Sequence, residues 1–562
     1  MAIRGSKNND RSRLGIVASV NFKKGIITTN TLFYLVSLTI AILVAIPVFT
    51  VCFGFFQNTS EYFKILSDTF LFDYIKNSFF LLIGVLSLTF IFGFFSAYLL
   101  SFYTFPGSSF FRWGLILSFA IPAYIYAFTV YSFFENFGLA FTFLTNLIGE
   151  GNYNKIIPKF DGLIAAIISL SFSLFGYVYV LTTSAFFHQS QSLIDVGKNL
   201  GFSKKKKFIN IIFPTVRPSI VVGLSLVAME TLSDFGTVSF LGISTLTTGI
   251  YNSWIGFDDL ATANRLSFIL IFFIFLLFCV EFLSRKKARY HISGKEDYKM
   301  RRLKKLSNVE GILASTFCFL LFFFSFLFPV ILMIFWTQRY PEYINISEFF
   351  SLNLNTIYLV IISSIVILIT SFISNFSNRI SNKKSLKFIN IFSVSGYAIP
   401  GIILALALMS FSSWITDLTN INFKNLIIGS TFGLIIAYII RFYALSFNSI
   451  RSNYLKINLS IDENAHLLGY SKFKIFSDIH FPFLKKSCLI IVILIAIEII
   501  KELPITLILR PYNFETFATK VFSYAEQDLI EAAAFPSLCL VMWSSIFILL
   551  SYKYILPSNE NE

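Results

Sequence analysis

The sequence predicts an all-α polytopic membrane protein with about twelve transmembrane helices in two homologous six-helix units. Two observations predict the class. The mean hydropathy is +0.74, and 56% of the 562 residues are hydrophobic, including 71 phenylalanines. A third observation predicts the division, because one polar motif occurs twice, 268 residues apart, each time between apolar segments. Since unpaired backbone groups are costly in lipid, we expect every crossing to be helical.

Twelve apolar segments have the length of a membrane crossing, which takes about 20 residues in a helix. In the first half they lie at 30–56, 77–102, 110–134, 162–187, 215–241 and 264–284. In the second half they lie at 310–336, 355–376, 389–413, 425–449, 487–509 and 531–554. The apolar segment 138–148 is too short to cross and is predicted to lie at the membrane interface.

The basic residues lie in alternate loops, which predicts the orientation of the chain. They concentrate in the N-terminal segment 1–29, the loop 195–214, the linker 285–309 and the loop 376–388. An excess of Lys and Arg is typical of cytoplasmic loops. Both termini, including the tail 556–562, are therefore predicted to lie in the cytoplasm. The net charge of +15 follows from this pattern, and no nucleic-acid partner is expected. The first apolar segment has no small-residue cleavage site, so we expect it to be retained as a span.

The repeated polar motif reads DVGKNLGFSKKKKFINIIFP at 195–214 and ENAHLLGYSKFKIFSDIHFP at 463–482. The equivalent positions are Asp195 and Glu463, Gly197 and Ala465, Gly201 and Gly469, and Pro214 and Pro482. The acid is predicted to open a short helix, where the helix dipole favours negative charge. The glycine is predicted to allow a turn, and the proline to start the next membrane helix, where its missing N–H is harmless. An ordinary basic loop is the alternative, and the repetition at identical spacing disfavours it.

This spacing resembles the EAA loop of the permease subunits of ABC importers. The two copies depart from the family pattern, because Val196 and Gly197 replace alanines in one copy and Asn464 replaces one in the other. The resemblance implies type I importer units whose EAA-like loops dock a cytoplasmic ABC ATPase dimer. The eight equivalent positions given above are thus the expected ATPase-coupling residues.

Further pairs of short motifs support an internal duplication. Asn77-Ser78 matches Asn355-Thr356, and Ala120-Ile121-Pro122 matches Ala398-Ile399-Pro400, both with an offset of 278. The offset of 268 at the polar motifs places about ten extra residues of the first half around 136–160. The units are therefore predicted at 30–284 and 310–555, joined by the cytoplasmic linker 285–309. The prolines are predicted to kink the third and ninth spans.

Acidic residues recur in the fifth and eleventh spans. Glu230 and Asp234 are each 268 residues before Glu498 and Glu502, and Lys501 could neutralise either acid of the second pair. Carboxylates at membrane depth are expensive, so all five residues are candidates for a substrate path. A structural ion pair, or a position near the external surface, is the alternative interpretation.

The stretches ETLSDFGTVSFLG and KELPITLILRPYNFETFATKVFSYA resemble the fused permeases of ferric-iron ABC importers. The resemblance implies uptake across a bacterial inner membrane of substrate delivered by an extracytoplasmic solute-binding protein. Thiamine, polyamine and phosphonate permeases share the architecture, so these substrates stay open. An ion-coupled secondary transporter and a non-transporting scaffold are disfavoured by the two EAA-like loops and by the polytopic repeat. Ferric ion prefers oxygen ligands, which the carboxylates of the candidate substrate path could supply. Tyr251, Tyr512 and Glu515 also have side-chain oxygens, but they could equally serve only to dock the partner.

No phosphate-binding loop of the G-x-x-x-x-G-K-[ST] type occurs in the sequence. We therefore expect a transport subunit that is not an enzyme and binds no cofactor, with ATP used by the partner ATPase. The four histidines (His188, His291, His466 and His480) fall in predicted cytoplasmic loops, where we expect solvated side chains. The five isolated cysteines are expected to be small hydrophobes within apolar segments, and no metal site is assigned.

Overall fold

A computed structural model describes residues 34–56, 60–135, 138–148, 160–187, 195, 197, 199–286, 303–381 and 384–555. The predicted N-terminal segment 1–29 and tail 556–562 lie outside these residues, as do His188, His291 and most of the linker. The described part of the chain is helical apart from short turns and one two-residue strand pair. In that pair β1 (Tyr103–Thr104) lies parallel to β2 (Lys304–Lys305).

The helices of the first half alternate between long apolar segments and short connecting ones. They are α1 (Tyr34–Phe55), α2 (Glu61–Thr69), α3 (Leu71–Phe102), α4 (Ser108–Gly114), α5 (Ala123–Phe134), α6 (Leu139–Ile148), α7 (Gly162–Phe187), α8 (Lys204–Lys207), α9 (Phe213–Ser233), α10 (Gly236–Phe240), α11 (Leu246–Ile255) and α12 (Leu260–Lys286). The helix α6 is the segment predicted to be interfacial, and its 10 residues are too few to cross a bilayer.

The helices of the second half repeat this alternation. They are α13 (Asn308–Phe322), α14 (Phe328–Arg339), α15 (Ile346–Ser381), α16 (Lys384–Val394), α17 (Gly401–Thr419), α18 (Lys424–Ile427), α19 (Thr431–Tyr454), α20 (Leu459–Leu467), α21 (Lys472–Lys474), α22 (Phe481–Lys501), α23 (Pro504–Leu509), α24 (Phe517–Glu526) and α25 (Ile530–Ile555).

The described residues contain ten helices that are long and apolar enough to cross a membrane, and a bent pair adds an eleventh candidate. Each of the ten overlaps one of the twelve predicted segments. The bent pair overlaps the predicted third span and turns by 91° between Ala120 and Ala123. The predicted eleventh span begins in α22, whose 21 residues include four charged ones, among them Lys485 and Lys486. The predicted all-α polytopic class is confirmed.

The prolines of the third and ninth segments interrupt their helices, as predicted. Pro122 and Pro400 have extended backbones, with ψ of 148° and 141°. Each follows a short 3-10 helix (Leu115–Ala120 and Ser395–Ala398) and directly precedes an α-helix. Proline lacks the N–H that a continuous helix would use, and its ring clashes with the preceding turn, so the helix restarts after it.

Two compact units are described separately. The first contains the described residues within 34–46, 362–397 and 438–492, and the second contains the described residues within 47–361, 398–437 and 493–555. The first has an aromatic core, in which the rings of Phe372 and Phe476 lie 4.9 Å apart, edge to face. The Asn375 side-chain amide donates to the Phe447 carbonyl at 3.0 Å. The predicted division into 30–284 and 310–555 concerns the repeat and stays a prediction.

In the second unit, α3 packs closely against α7. Its core includes Leu81, Val85, Leu170 and Val178. At Gly93 a Cβ atom would lie 2.6 Å from the Val178 Cβ and 2.9 Å from the Phe175 carbonyl oxygen. The missing side chain therefore lets the two backbones approach, which is how small residues promote helix packing in membranes.

We predict that Gly93→Val separates α3 from α7 and destabilises the protein by roughly 1–3 kcal/mol, the usual effect of overpacking. Thermal unfolding in detergent should show a lower melting temperature. Gly311→Ala is the matched control, because a Cβ there would meet its nearest neighbour, Pro106, at an ordinary 3.6 Å. A Gly93→Val protein that melts with the wild type would contradict the close packing.

Candidate functional site

The two EAA-like loops end their first helix in the same way. The backbone N–H of Phe202 donates to the Gly197 carbonyl, and that of Tyr470 donates to the Ala465 carbonyl, both at 3.0 Å. The intervening glycines, Gly201 and Gly469, have φ of +69° and +82°. This is the glycine C-cap that closes many helices, because only glycine adopts positive φ without strain. The predicted glycine turn is confirmed in both copies.

A serine after each glycine starts the next helix, and sequence reasoning missed it. The hydroxyl oxygen of Ser203 accepts from the Lys206 backbone N–H, and that of Ser471 accepts from the Lys474 backbone N–H, both at 3.3 Å. Serine is a favoured N-cap residue because its oxygen satisfies a free N–H of the first turn. The F-S-K and Y-S-K stretches contained this signal.

Pro214 and Pro482 are the second residues of α9 and α22, as predicted for prolines that begin a membrane helix, but a π-helical turn and not a loop precedes each of these helices. Each lies two residues after a π-helical turn, Phe208–Ile212 and Ile475–His480, and the helix continues through it. The same arrangement precedes Pro329. Within a helix, proline removes one hydrogen bond and crowds the preceding turn. A π turn widens the backbone there, so each loop runs without a break into the following span.

The acid of the second loop, Glu463, does not open a helix, which corrects the prediction for that copy. For Asp195 it stays a prediction, because residues 188–194 lie outside the described part of the chain. Glu463 is exposed and lies in the middle of α20, which begins at Leu459. The cap of α20 is Asn458, whose side-chain oxygen accepts from the Ser460 backbone N–H at 3.3 Å. Asp195 is half-buried, and residues 195, 197 and 199 are helical. Of the two acids, Glu463 is thus an exposed surface residue of its loop, whereas Asp195 is partly covered.

The alanine-to-glycine departure at Gly197 has a packing reason. A Cβ there would lie 2.5 Å from the Ile211 Cδ1 atom, so the isoleucine side chain occupies the space of the missing methyl group. Ala465 is itself buried in the second loop, at 4% exposure. His480 is also fully buried, which corrects the expectation of a solvated side chain, whereas His466 is exposed as expected.

Asp234 and Glu502, two of the predicted path residues, cap helix breaks in the fifth and eleventh segments. The Asp234 carboxylate accepts from the backbone N–H groups of Thr237 and Val238 at 3.1 and 3.3 Å. The Glu502 carboxylate accepts from those of Ile505 and Thr506 at 3.0 and 3.1 Å. These donors lie three and four residues beyond the acid in both cases. Each acid therefore accepts hydrogen bonds from first-turn N–H groups of α10 or α23, which have no acceptor within their own helix.

Glu230 and Glu498 lie one turn before the breaks and are half-buried. A Glu498 carboxylate oxygen lies 3.4 Å from the Lys501 ammonium and accepts from the Tyr177 hydroxyl at 3.4 Å. Of the two pairings predicted for Lys501, the structure shows the one with Glu498. Glu498 thus forms an ion pair with Lys501 that is largely, but not fully, shielded from solvent.

The two helix breaks meet at one point in the second compact unit. A Cβ on Gly236 would lie 2.8 Å from a Leu503 methyl carbon and 3.0 Å from the Tyr124 Cβ. Tyr124 is 5% exposed and lies within electrostatic range of both capping carboxylates. The ring of Phe235, which directly precedes Gly236, lies 5.7 Å from that of Phe522. Residues of both sequence halves thus form a tightly packed apolar constriction.

A second set of hydrogen bonds, made by the dipeptides Asn77-Ser78 and Asn355-Thr356, also occurs once in each half. The amide of Asn77 donates to the Ser244 carbonyl, and that of Asn355 donates to the Glu515 carbonyl, both at 2.9 Å. The next residue, Ser78 or Thr356, accepts from the first backbone N–H of α11 or α24, at 3.0 and 3.3 Å. The predicted equivalence of these dipeptides is therefore reproduced in their hydrogen bonds.

The three candidate docking residues differ in their surroundings. Tyr251 packs against Phe235 with ring centroids 4.4 Å apart. Tyr512 is 94% exposed. Glu515 lies between two cations, 3.0 Å from an Arg510 guanidinium nitrogen and 3.5 Å from the Lys520 ammonium. Across the described ranges, no group of three or more His, Cys, Asp or Glu side chains could hold a metal ion.

Comparisons with known proteins agree with this construction. Residues 89–286, which include the first EAA-like loop, match the family model described as binding-protein-dependent transport system inner membrane component. The Fe(3+)-transport system permease protein FbpB 2 of Haemophilus influenzae is 26% identical over 84% of this chain and 87% of its own length. The probable sulfate transport system permease protein cysT of Prototheca wickerhamii is 29% identical over 34% of this chain and 74% of its own length.

A third relative is the probable transport system permease protein NifC of Clostridium pasteurianum, 26% identical over 44% of this chain and 89% of its own length. These relatives are transport permeases. The predicted resemblance to fused permeases of the ferric-iron type is confirmed. So are the transport class and the multi-pass membrane character.

Substitutions at the capping acids separate a capping role from a cation-binding role. We predict that Asp234→Asn and Glu502→Gln retain most transport, because an amide oxygen still accepts the backbone N–H groups. Asp234→Ala and Glu502→Ala should lose the cap and about 1–2 kcal/mol of stability. Uptake and thermal melting of the four variants in proteoliposomes test this. Loss of uptake in the amide variants with normal melting would show that the negative charge itself acts on the substrate.

Proposed function

We propose that this chain is the complete transmembrane pathway of a binding-protein-dependent ABC importer, with ferric iron as its substrate. An extracytoplasmic binding protein delivers the ion, and a separate cytoplasmic ATPase dimer drives its passage. The observation that carries the proposal is the pair of EAA-like loops, which have the same glycine turn, serine cap and π turn at a constant offset of 268. One chain thus offers two docking sites, as an ATPase dimer requires.

The loops are built to transmit movement. Each continues through its π turn into a membrane helix, so a displacement of the loop moves that helix as well. The helices in question, α9 and α22, end at the breaks capped by Asp234 and Glu502. We propose that the constriction around Tyr124, Gly236 and Leu503 is the closed point of the pathway, and that ATP-driven movement of the loops opens it. Conformational work of this kind passes through packed elements that have two arrangements.

Ferric iron is favoured over sulfate by the extent of similarity. The Fe(3+) relative matches 84% of this chain, including both repeats, whereas the sulfate relative matches 34%. Carboxylates and phenols also suit a hard trivalent cation. Glu230 and Glu498 are the acids that do not cap a helix break, so we propose them as contact points for the passing ion. The capping acids Asp234 and Glu502 keep the constriction in shape.

The substrate assignment predicts the outcome of a panel experiment. In proteoliposomes with the ATPase, Fe(3+)-loaded binding protein should stimulate ATP hydrolysis at least about tenfold above the iron-free binding protein. Thiamine-, polyamine-, phosphonate- and sulfate-binding proteins loaded with their ligands are the matched comparisons. Stimulation by one of these binding proteins, without a response to the Fe(3+)-loaded one, would support the importer assignment and contradict the assignment of ferric iron as the substrate.

Replacement of both loop glycines tests the coupling role. We predict that Gly201→Val with Gly469→Val leaves the protein inserted but weakens ATPase association or uncouples hydrolysis from uptake. No atom lies within 4 Å of a Cβ built on either glycine, so the expected defect comes from backbone strain at positive φ. Gly201→Asn with Gly469→Asn is the control, since asparagine tolerates this conformation. Normal association and uptake in the valine variant would contradict the assignment.

A further inference from the structure

A buried ionic cluster lies beside the second EAA-like loop, in the first compact unit. Arg379, near the end of α15, donates from Nε to the Asp462 carboxylate of α20. Its other nitrogens donate to the backbone carbonyls of Tyr454, Ile457 and Asn458 at 3.0, 3.1 and 3.1 Å. The Arg379 side chain is 8% exposed. One guanidinium therefore holds the end of α19, the turn after it and the start of α20.

The second carboxylate oxygen of Asp462 reaches a different element. It lies 2.8 Å from the His480 Nε2, in the π turn that leads into α22. The Tyr454 hydroxyl lies 3.5 Å from the Nδ1 of the same ring. Burial acts to raise the pKa of Asp462, but hydrogen bonds from Arg379 and His480 outweigh it and lower the pKa. Burial also lowers the pKa of His480. The Asp462 carboxylate therefore lies between the Arg379 guanidinium and the His480 ring, and its contacts with both favour its ionised form.

We infer that Arg379, Asp462 and His480 form a strut that positions the second EAA-like loop and ties its movement to α15 as well as to α22. The inference rests on the proposed function, because it assumes that this loop receives the movement of an ATPase. The tip of α20 presents two apolar side chains to solvent, Leu467 at 85% and Leu468 at 78% exposure. A force applied at that tip reaches α22 along the chain. It reaches α15 through the bonds of Arg379 to Asp462 and to the backbone carbonyls of residues 454–458, beside the aromatic contact of Phe476 with Phe372.

The first repeat contains no such residues. With the offsets of 278 and 268, the positions equivalent to Arg379, Asp462 and His480 are Ser101, Ile194 and Ile212. None of the three can form an ion pair. The duplication therefore produced two loops with the same backbone construction and different bracing. The three equivalent positions of the first repeat therefore do not reproduce this ionic link.

The difference between the two repeats supplies a test of whether the cluster positions the second loop or only stabilises the folded protein. Removal of one partner from a buried ion pair is strongly destabilising, whereas replacement of the whole group by apolar residues is often neutral. The triple variant Arg379→Ser, Asp462→Ile, His480→Ile introduces the residues of the first repeat. It should therefore fold and melt close to the wild type while lacking the strut. His480→Gln retains a donor to Asp462 and should behave like the wild type.

The experiment uses the full permease in proteoliposomes with its ATPase and Fe(3+)-loaded binding protein. ATPase association, ATP hydrolysis and iron uptake are measured together. We expect the triple variant to bind the ATPase normally, with iron uptake per ATP reduced at least about fivefold. Arg379→Gln should show the same loss of uptake per ATP together with a lower melting temperature, because it leaves Asp462 without its cation. Arg451→Gln is the control, because it removes an exposed guanidinium from the end of α19. Normal uptake per ATP in the triple variant would overturn the inference and leave the cluster a stabilising role only.

Hydrogen exchange of the permease alone makes the result independent of the partner. The strut predicts that the amides of residues 455–468 exchange at least about tenfold faster in Arg379→Gln and in the triple variant. The amides of 199–212, in the first loop, should be unchanged. Unchanged exchange at 455–468 would overturn the strut even where the importer function holds. Wild-type protein that binds no ATPase would instead overturn the proposed function, and the coupling role of the strut with it.

Discussion

The structure depends on the satisfaction of every backbone hydrogen-bonding group in a chain that crosses a membrane. Each departure from a continuous helix has its own compensation, because an unpaired group in lipid costs several kcal/mol. At Pro214 and Pro482 a π turn widens the backbone before the proline. At the breaks after α9 and α22, the carboxylates of Asp234 and Glu502 accept the free N–H groups of the next turn. The same constraint explains why irregular segments recur at equivalent places in both halves.

Much of the fold could be predicted from local sequence, whereas the roles of several site residues could not. Apolar segments, positive-φ glycines and prolines act through their own backbone, so the spans, the turns at Gly201 and Gly469 and the kink at Pro122 were predictable. Asp234 was predicted as a path residue because an acid in an apolar segment signals function, yet it caps a helix. The S-D-F-G-T stretch contained that possibility. The His480 ring packs against Phe376, about a hundred residues away in the chain, with ring centroids 5.4 Å apart, and no local pattern reveals this burial.

The duplication preserves joints more faithfully than surfaces. The Asn–Ser and Asn–Thr clamps, the two loops and the two capped breaks have matching hydrogen bonds. The offset along the chain is 278 at the clamp asparagines, 271 at the carbonyls that they bind, and 268 at the loops and at the capped breaks. The surroundings differ, since the second half has ion pairs at Glu515 and Asp462 where the first half has serine and isoleucine. The two halves therefore share the hydrogen bonds of the clamps, the loops and the capped breaks. The side chains around these joints are where the two halves differ.

The constant offset between the loop glycine and the capping acid has a consequence for rotation. Gly201 and Asp234 are separated by the same number of residues as Gly469 and Glu502, with a π turn in each interval. A helix turns by about 100° per residue, so the interval sets the angle between the loop glycine and the carboxylate at the break. The equal intervals give both halves the same angular relation between these two residues. One residue added within either interval would turn the carboxylate by about 100°, to another face of its helix.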